Sequence, residues 1–193
     1  MREHQHIVVA YDFSQSSMAA LERAVDLATR APGQVLHFCC VIEGHNAIPA
    51  IPADNGDVDA AYAQKVQEAV FTEVELQLAL AQTDARVDFF VHVRLGKPSE
   101  EILDLAREIG ADAIIVGSKR LRGIERMLVG SVSEKIVRKA GCTVEVARPK
   151  AYRDVVFTPV HEVEPEHTPY VPPHRYTYDD HRVEMRPNDW PLY

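Results

Sequence analysis

Residues 112–140 read DAIIVGSKRLRGIERMLVGSVSEKIVRKA, and three segments of different character share that stretch. Residues 112–117 are a short apolar run closed by Gly117, as expected of a buried strand. Gly117, Gly123 and Gly130 then punctuate a loop crowded with Lys119, Arg120, Arg122 and Arg126. From Ser131 to about residue 140 the spacing turns helical. A strand whose end feeds a loop and then a helix N-terminus is a building unit of α/β proteins. Backbone amides at such a junction suit a phosphate, because glycines allow close approach and the helix dipole favours negative charge. The plainer reading is that Gly130 and Ser131 only cap a helix. Gly117 at the strand end, together with the hydroxyls of Ser131 and Ser133, favours the anion site.

The same alternation runs outward to the N-terminus. HIVVAY (6–11) reads as a buried strand, and DFSQSS after it supplies polar residues able to cap a helix. Over residues 16–30, Met18, Leu21, Ala24, Val25 and Ala28 share one helical face, and Pro32-Gly33 stops the helix. QVLHFCCVIE (34–43) is a second strand, GHNAIPAIPADNG a loop, and residues 57–82 a long helix with Val58, Tyr62, Val66, Ala69, Val70 and Val74 in register. RVDFFVHVR (86–94) is a third strand, rich in aromatic and β-branched residues. Pro98 starts the next helix, Ile102, Leu105 and Ile109 give its core stripe, and Gly110 ends it. CTVEVA (142–147) is the fifth strand, and its modest apolar content suits a sheet edge. Strands alternating with helices predict an open five-stranded parallel sheet sandwiched by helices, an α/β fold. Sheets of this kind bind ligands beyond the carboxyl ends of their strands, where Asp12 and the Gly117 loop both fall.

Bulk properties narrow the function classes. A net charge of −8 argues against general affinity for nucleic acid or anionic membrane, so any anion site has to be local. The apolar strand follows directly on MREHQ, which predicts no secretory leader. No uncharged apolar run approaches the roughly 20 residues of a membrane span. Cys39, Cys40 and Cys142 are an odd number without zinc or redox spacing, and read as buried small hydrophobes in a reducing cytoplasm. Neither GxxxxGK[ST] nor GxGxxG occurs, which removes support for P-loop hydrolysis and dinucleotide binding.

After Pro149 the composition changes, and the chain divides into a domain over 1–149 and an arm over 150–193. The arm concentrates seven of the twelve prolines and five of the seven tyrosines, and no period of 2 or 3.6 persists in it. It reads as an extended, polyproline-like segment, either docked through its aromatics or disordered, with docking to an unknown protein partner the reading adopted. Its histidines, at 161, 167, 174 and 181, lack zinc-ligand spacing, so no metal is expected. Glu100 and Glu101 in GKPSEE suit the first turn of a helix, with a catalytic carboxylate pair as the sharper alternative.

Three segments together resemble the universal stress proteins over roughly residues 4–148: VVAYDFSQSSMAAL, VRLGKPSEEILDLAREIGADAIIVGS and RMLVGSVSEKIVRKAGCTVEVA. The resemblance implies a Rossmann-like sandwich of the adenine-nucleotide-binding type. Members that bind ATP carry Gly, two residues, Gly, nine residues, then Gly-Ser or Gly-Thr. Gly117 and Gly130-Ser131 match the ends of that pattern, while Arg120 stands at the middle glycine. By the same resemblance Asp12 contacts the nucleoside, Val41 meets the adenine, and Ser131, Val132 and Ser133 surround the phosphates of ATP, ADP or AMP, with magnesium as a further candidate at Asp12. Arg120 either adds a forked cation for the phosphates or closes their path. Retained binding is the reading adopted, the alternative being a dimeric interaction module that works through its arm. The resemblance further implies a homodimer paired through the last strands, and a binding protein rather than an enzyme, slow ATP hydrolysis being the exception left open.

Overall fold

A computed structural model of the chain describes residues 4–54, 58–82, 85–118 and 130–149. The arm expected over 150–193 and Arg120 both lie outside the described residues. In chain order the elements are β1 (Gln5–Ala10), α1 (Gln15–Arg30), β2 (Gln34–Ile42), α2 (Ala60–Leu80), β3 (Asp88–Leu95), α3 (Pro98–Ile109), β4 (Ala113–Gly117), α4 (Ser131–Lys139) and β5 (Thr143–Ala147). Among the described residues the strands form one parallel sheet in the order β3-β2-β1-β4-β5. The expected α/β architecture is therefore the observed one.

Local chemistry sets the helix boundaries. Ser14 caps α1 by accepting the Ser17 amide at 3.2 Å. The second helix begins at Ala60 rather than at residue 57, because the Asp59 side chain accepts the Tyr62 amide at 2.8 Å and so holds Asp59 as the cap. Pro98 occupies the first turn of α3, where a missing N–H costs nothing. That helix ends in a Schellman motif: Gly110 takes φ 62°, and the Ala111 amide reaches back to the Ala106 carbonyl at 2.8 Å.

The sheet is buried on both faces in its centre, which is why its strands read as unbroken apolar runs. Ile7, Val9, Leu36, Phe38, Cys40 and Ile115 pack under α1 and α2, against Leu21, Ala24, Val66, Val70 and Val74. Alternate residues of the same strands, Val8, Ala10, Cys39, Ile114 and Val116, pack against Ile102, Leu105 and Ile136 of α3 and α4. The adjacent cysteines thus point to opposite faces, and both are buried and free. In α1 the stripe is rotated slightly from expectation: Met18 is only partly buried, while Ala20 is 0% exposed.

The segment read as a plain loop after β2 contributes to the core. Ile48 and Ile51 are buried in it, and the buried Tyr62 hydroxyl accepts the Ile48 amide at 2.6 Å and donates to the Ile51 carbonyl at 2.7 Å. One tyrosine of α2 therefore fastens the loop to the helix that follows it. β5 lies at a sheet edge, as expected, and Glu145 on it pairs with Arg23 of α1 at 2.5 Å.

Candidate functional site

Strand order reverses around β1: α1 carries the chain from β1 to β2 on one side, and α3 brings it back to β4 on the other. A crevice opens where such connections diverge. Here it is a cleft of about 360 Å³ beyond the carboxyl ends of β1, β2 and β4. Pockets that enclose small ligands start at about 300 Å³.

The cleft gathers seven of the residues singled out from the sequence: Asp12, Val41, Gly117, Gly130, Ser131, Val132 and Ser133. Arg120 lies outside the described residues. The sequence reading missed Ser16 and Ser17 of α1, Glu43 after β2, Lys97 and Ser99 at the start of α3, and Lys135 of α4, all of which line the same space. For all but Lys135, which lies midway along α4, the signal was available, since each follows the carboxyl end of a strand or opens a helix, but only the sheet order shows that these ends meet.

Asp12 is exposed, and its Oδ1 accepts the Ser14 amide at 3.0 Å, while its own amide donates to Ser17 Oγ at 3.2 Å. Its second carboxylate oxygen makes no hydrogen bond among the described residues. Phe13, next to it, holds φ 62° with a full aromatic side chain, which costs roughly 1 kcal/mol. The ring stacks edge-on against Tyr11, with centroids 4.9 Å apart. This left-handed residue makes the sharp turn that brings the N-terminus of α1 to the cleft.

Gly117 serves packing. A Cβ there would fall 2.0 Å from the Ser16 carbonyl oxygen and 2.9 Å from the Ser17 amide nitrogen, so α1 can lie this close to β4 only against glycine. Its φ lies outside the left-handed region. Gly130 likewise has an ordinary backbone, φ −58° and ψ 155°, and caps α4 without a side-chain hydrogen bond. The two α4 hydroxyls differ: Ser133 is 2% exposed and donates to the Gly130 carbonyl at 3.0 Å, whereas Ser131 is open. The first amides of α4 and the Ser131 hydroxyl thus face the cleft with no partner among the described residues. With α1 and α3, three helix N-termini converge on one space, and each contributes positive potential.

Some charged groups near the cleft are held in pairs. Lys97 pairs with Glu100 at 3.4 Å, and Glu101 pairs with Arg94 at 3.5 Å. Neither glutamate lines the cleft, which disposes of them as a catalytic pair there. Cys39 forms part of the floor, and burial pushes its thiol up to about 12, so it supplies no thiolate nucleophile. The Tyr11 hydroxyl is buried without a partner among the described residues, and burial and the nearby Glu73 carboxylate raise its pKa.

Comparison with known proteins agrees with this architecture. The model of the universal stress protein family matches residues 3–148. A Staphylococcus epidermidis relative bearing the universal stress protein name is 31% identical over 166 residues, covering 82% of this chain and 95% of its own. The structure of the universal stress protein UspA from Lactobacillus plantarum superposes with a TM-score of 0.56 at 26% identity, over 77% of this chain and all of that one (100%). An Arabidopsis thaliana protein of the same family, with AMP bound, shares the fold with a TM-score of 0.52 at 20% identity, over 76% of this chain and 93% of that one. Sheet order, cleft position and family match converge on one assignment: the chain belongs to the universal stress protein family.

Proposed function

We propose that this protein binds an adenine nucleotide in the cleft and acts as a homodimeric stress-response regulator in the cytoplasm, not as a dedicated enzyme. The observation that carries the reading is the convergence of three helix N-termini on one cleft at the point where strand order reverses. The amides of Ser131 and Val132 and the Ser131 hydroxyl would hold the phosphates, and Lys135 adds charge at the same rim. Asp12, with one oxygen committed to Ser14, would take a sugar hydroxyl with the other, and Val41 would meet the adenine. AMP bound to a relative of the same fold supports that class of ligand.

Magnesium fits the donor set. It is usually held by one or two carboxylates together with substrate phosphates, and Asp12 and Glu43 both line this cleft. Arg120 would add a permanent cation to the phosphate end. Pairing of β5 with the β5 of a second copy would form the dimer, since β5 is an edge of the sheet among the described residues. The arm over 150–193, leaving the chain just after β5, would serve an unknown protein partner. Free buried cysteines suit a reducing compartment.

The test is a calorimetric titration of ATP, ADP and AMP, with and without magnesium, into the full chain and into Arg120→Gly. The expected result is micromolar binding, about −8 kcal/mol, to the full chain, weakened in the variant. Absence of heat with all three nucleotides in both proteins overturns the reading. Binding by the variant alone would make Arg120 the residue that closes the site, and would shift the function to the arm.

A further inference from the structure

Three histidines that the nucleotide site does not use meet on the α3 side of the sheet. His6 on β1, His37 on β2 and His92 on β3 run diagonally across neighbouring strands, two residues out of register at each step: Val8 faces His37, and Cys39 faces His92. His6 Nδ1 lies 2.9 Å from His37 Nε2, and His37 Nδ1 lies 3.0 Å from His92 Nε2. The central ring is 5% exposed and stacks on Phe90 with centroids 5.1 Å apart, while both end rings reach solvent in part.

Each ring–ring contact at this distance is an N–H···N bond and holds one proton. Two protons would collide, and none would leave lone pairs facing each other. Three neutral imidazoles carry three protons: two sit in the contacts and one on an outer nitrogen. The outer nitrogens are His6 Nε2 and His92 Nδ1. One more proton fills the second of these with both bonds intact. A further proton has to enter a contact and break it.

We propose that His6, His37 and His92 form a one-proton site. The row takes up a single proton at an outer nitrogen as the medium acidifies, keeps β1, β2 and β3 joined in that state, and gives way when a second proton arrives. β3 is the outermost of these strands, so it is the element released. The surrounding charges set limits at each end. Arg94, on β3 itself, opposes a cation on His92, and is held by Glu101 and Glu108 of α3. Glu108 in turn favours a cation there. At the other end Asp112, just before β4, accepts the His6 amide at 2.9 Å. Burial first, then His92 and His6, push His37 down to about 4, and burial with Arg94 pushes His92 down.

The sign follows from proton counting. In the unfolded chain the three rings titrate independently near about 6.5 and each takes a proton below that. The folded row holds one, so unfolding takes up two more, and the folded state loses ground as pH falls from about 6.5 towards the lowered value of His37. Two protons correspond to about a hundredfold rise in the unfolding constant per pH unit.

The experiment follows the imidazole nitrogen-15 shifts of the intact protein from neutral to acid pH. The expected result is one outer ring becoming doubly protonated, with His37 remaining neutral until the amides of β3 lose exchange protection. The variant His37→Gln, unfolded in urea across the same range, lets each outer ring protonate alone in both states. The row's about hundredfold dependence per pH unit then disappears. Three rings titrating independently, His37 gaining a proton while β3 stays protected, or an unchanged pH slope in His37→Gln each overturn the proposal. If His37→Gln fails to fold, the nitrogen shifts decide by themselves.

Discussion

Substituting Gly117 by alanine tests whether α1 is seated against β4 as closely as the structure places it. The added Cβ would lie 2.0 Å from the Ser16 carbonyl oxygen, 2.3 Å from its carbon and 2.9 Å from the Ser17 nitrogen. All three are backbone atoms, so no rotamer change relieves the overlap. Real Cβ contacts essentially never fall below 3.0 Å, and the first turn of α1 has to withdraw until that limit is met. That turn leads into Ala19, Ala20, Leu21 and Ala24, all buried, so the whole inner face of the helix loosens with it. Overpacking costs about 1–3 kcal/mol, and a clash between two backbones belongs at the upper end. A loss of about 3 kcal/mol lowers Tm by roughly 6–12 °C in a domain of this size. Ser16 and Ser17 also line the cleft, so the nucleotide affinity proposed for it would fall in the same variant. Gly141→Ala is the control, because nothing lies within 4 Å of its Cβ position, and it changes stability by no more than about 0.5 kcal/mol. Urea denaturation followed by circular dichroism measures both variants. A Gly117→Ala protein within about 0.5 kcal/mol of the parent would refute the reasoning, and would mean that α1 sits farther from β4.

Two further outcomes follow from buried polar groups. Tyr62→Phe removes the hydroxyl that serves both the Ile48 amide and the Ile51 carbonyl, and leaves two buried backbone groups unpaired. Urea denaturation should show a loss of roughly 2–4 kcal/mol, with faster proteolysis in the segment after β2; a loss below about 1 kcal/mol would show that water replaces the hydroxyl. Burial pushes the Cys39 and Cys40 thiols up to about 12. In thiol titration at mildly alkaline pH, both therefore stay unreactive in the native protein and react once it is unfolded in urea. Rapid modification of two or more thiols in the native state contradicts that burial.

Much of the fold was legible in the sequence because helix and strand periods are local. The apolar stripe of α3 and its two ends, Pro98 and Gly110, could be read directly, and the structure agrees. The start of α2 was misplaced because Asp59 and the acidic residue at 57 are equally good caps by type, and only the Tyr62 amide shows which one is used. The segment after β2 was read only as a loop because its prolines and glycines break any period, and nothing local showed that Ile48 and Ile51 are core residues. At the site, Gly117 was noticed for the freedom of a glycine, whereas the constraint on it is the backbone of a helix that begins a hundred positions earlier.

The amino-acid sequence by itself determined the succession of strands and helices, their facing stripes and the residues at the strand ends, because each depends on neighbours a few positions away. It did not determine which strands lie side by side. The order β3-β2-β1-β4-β5 rests on contacts far apart in the chain, and that order alone brings Asp12, Val41, Lys97 and Ser131 into one cleft. The same order aligns His6, His37 and His92, separated by 31 and 55 positions, into a single hydrogen-bonded row. No period in the sequence announces such a row, because its spacing is set by the distance between strands and not by the distance along the chain.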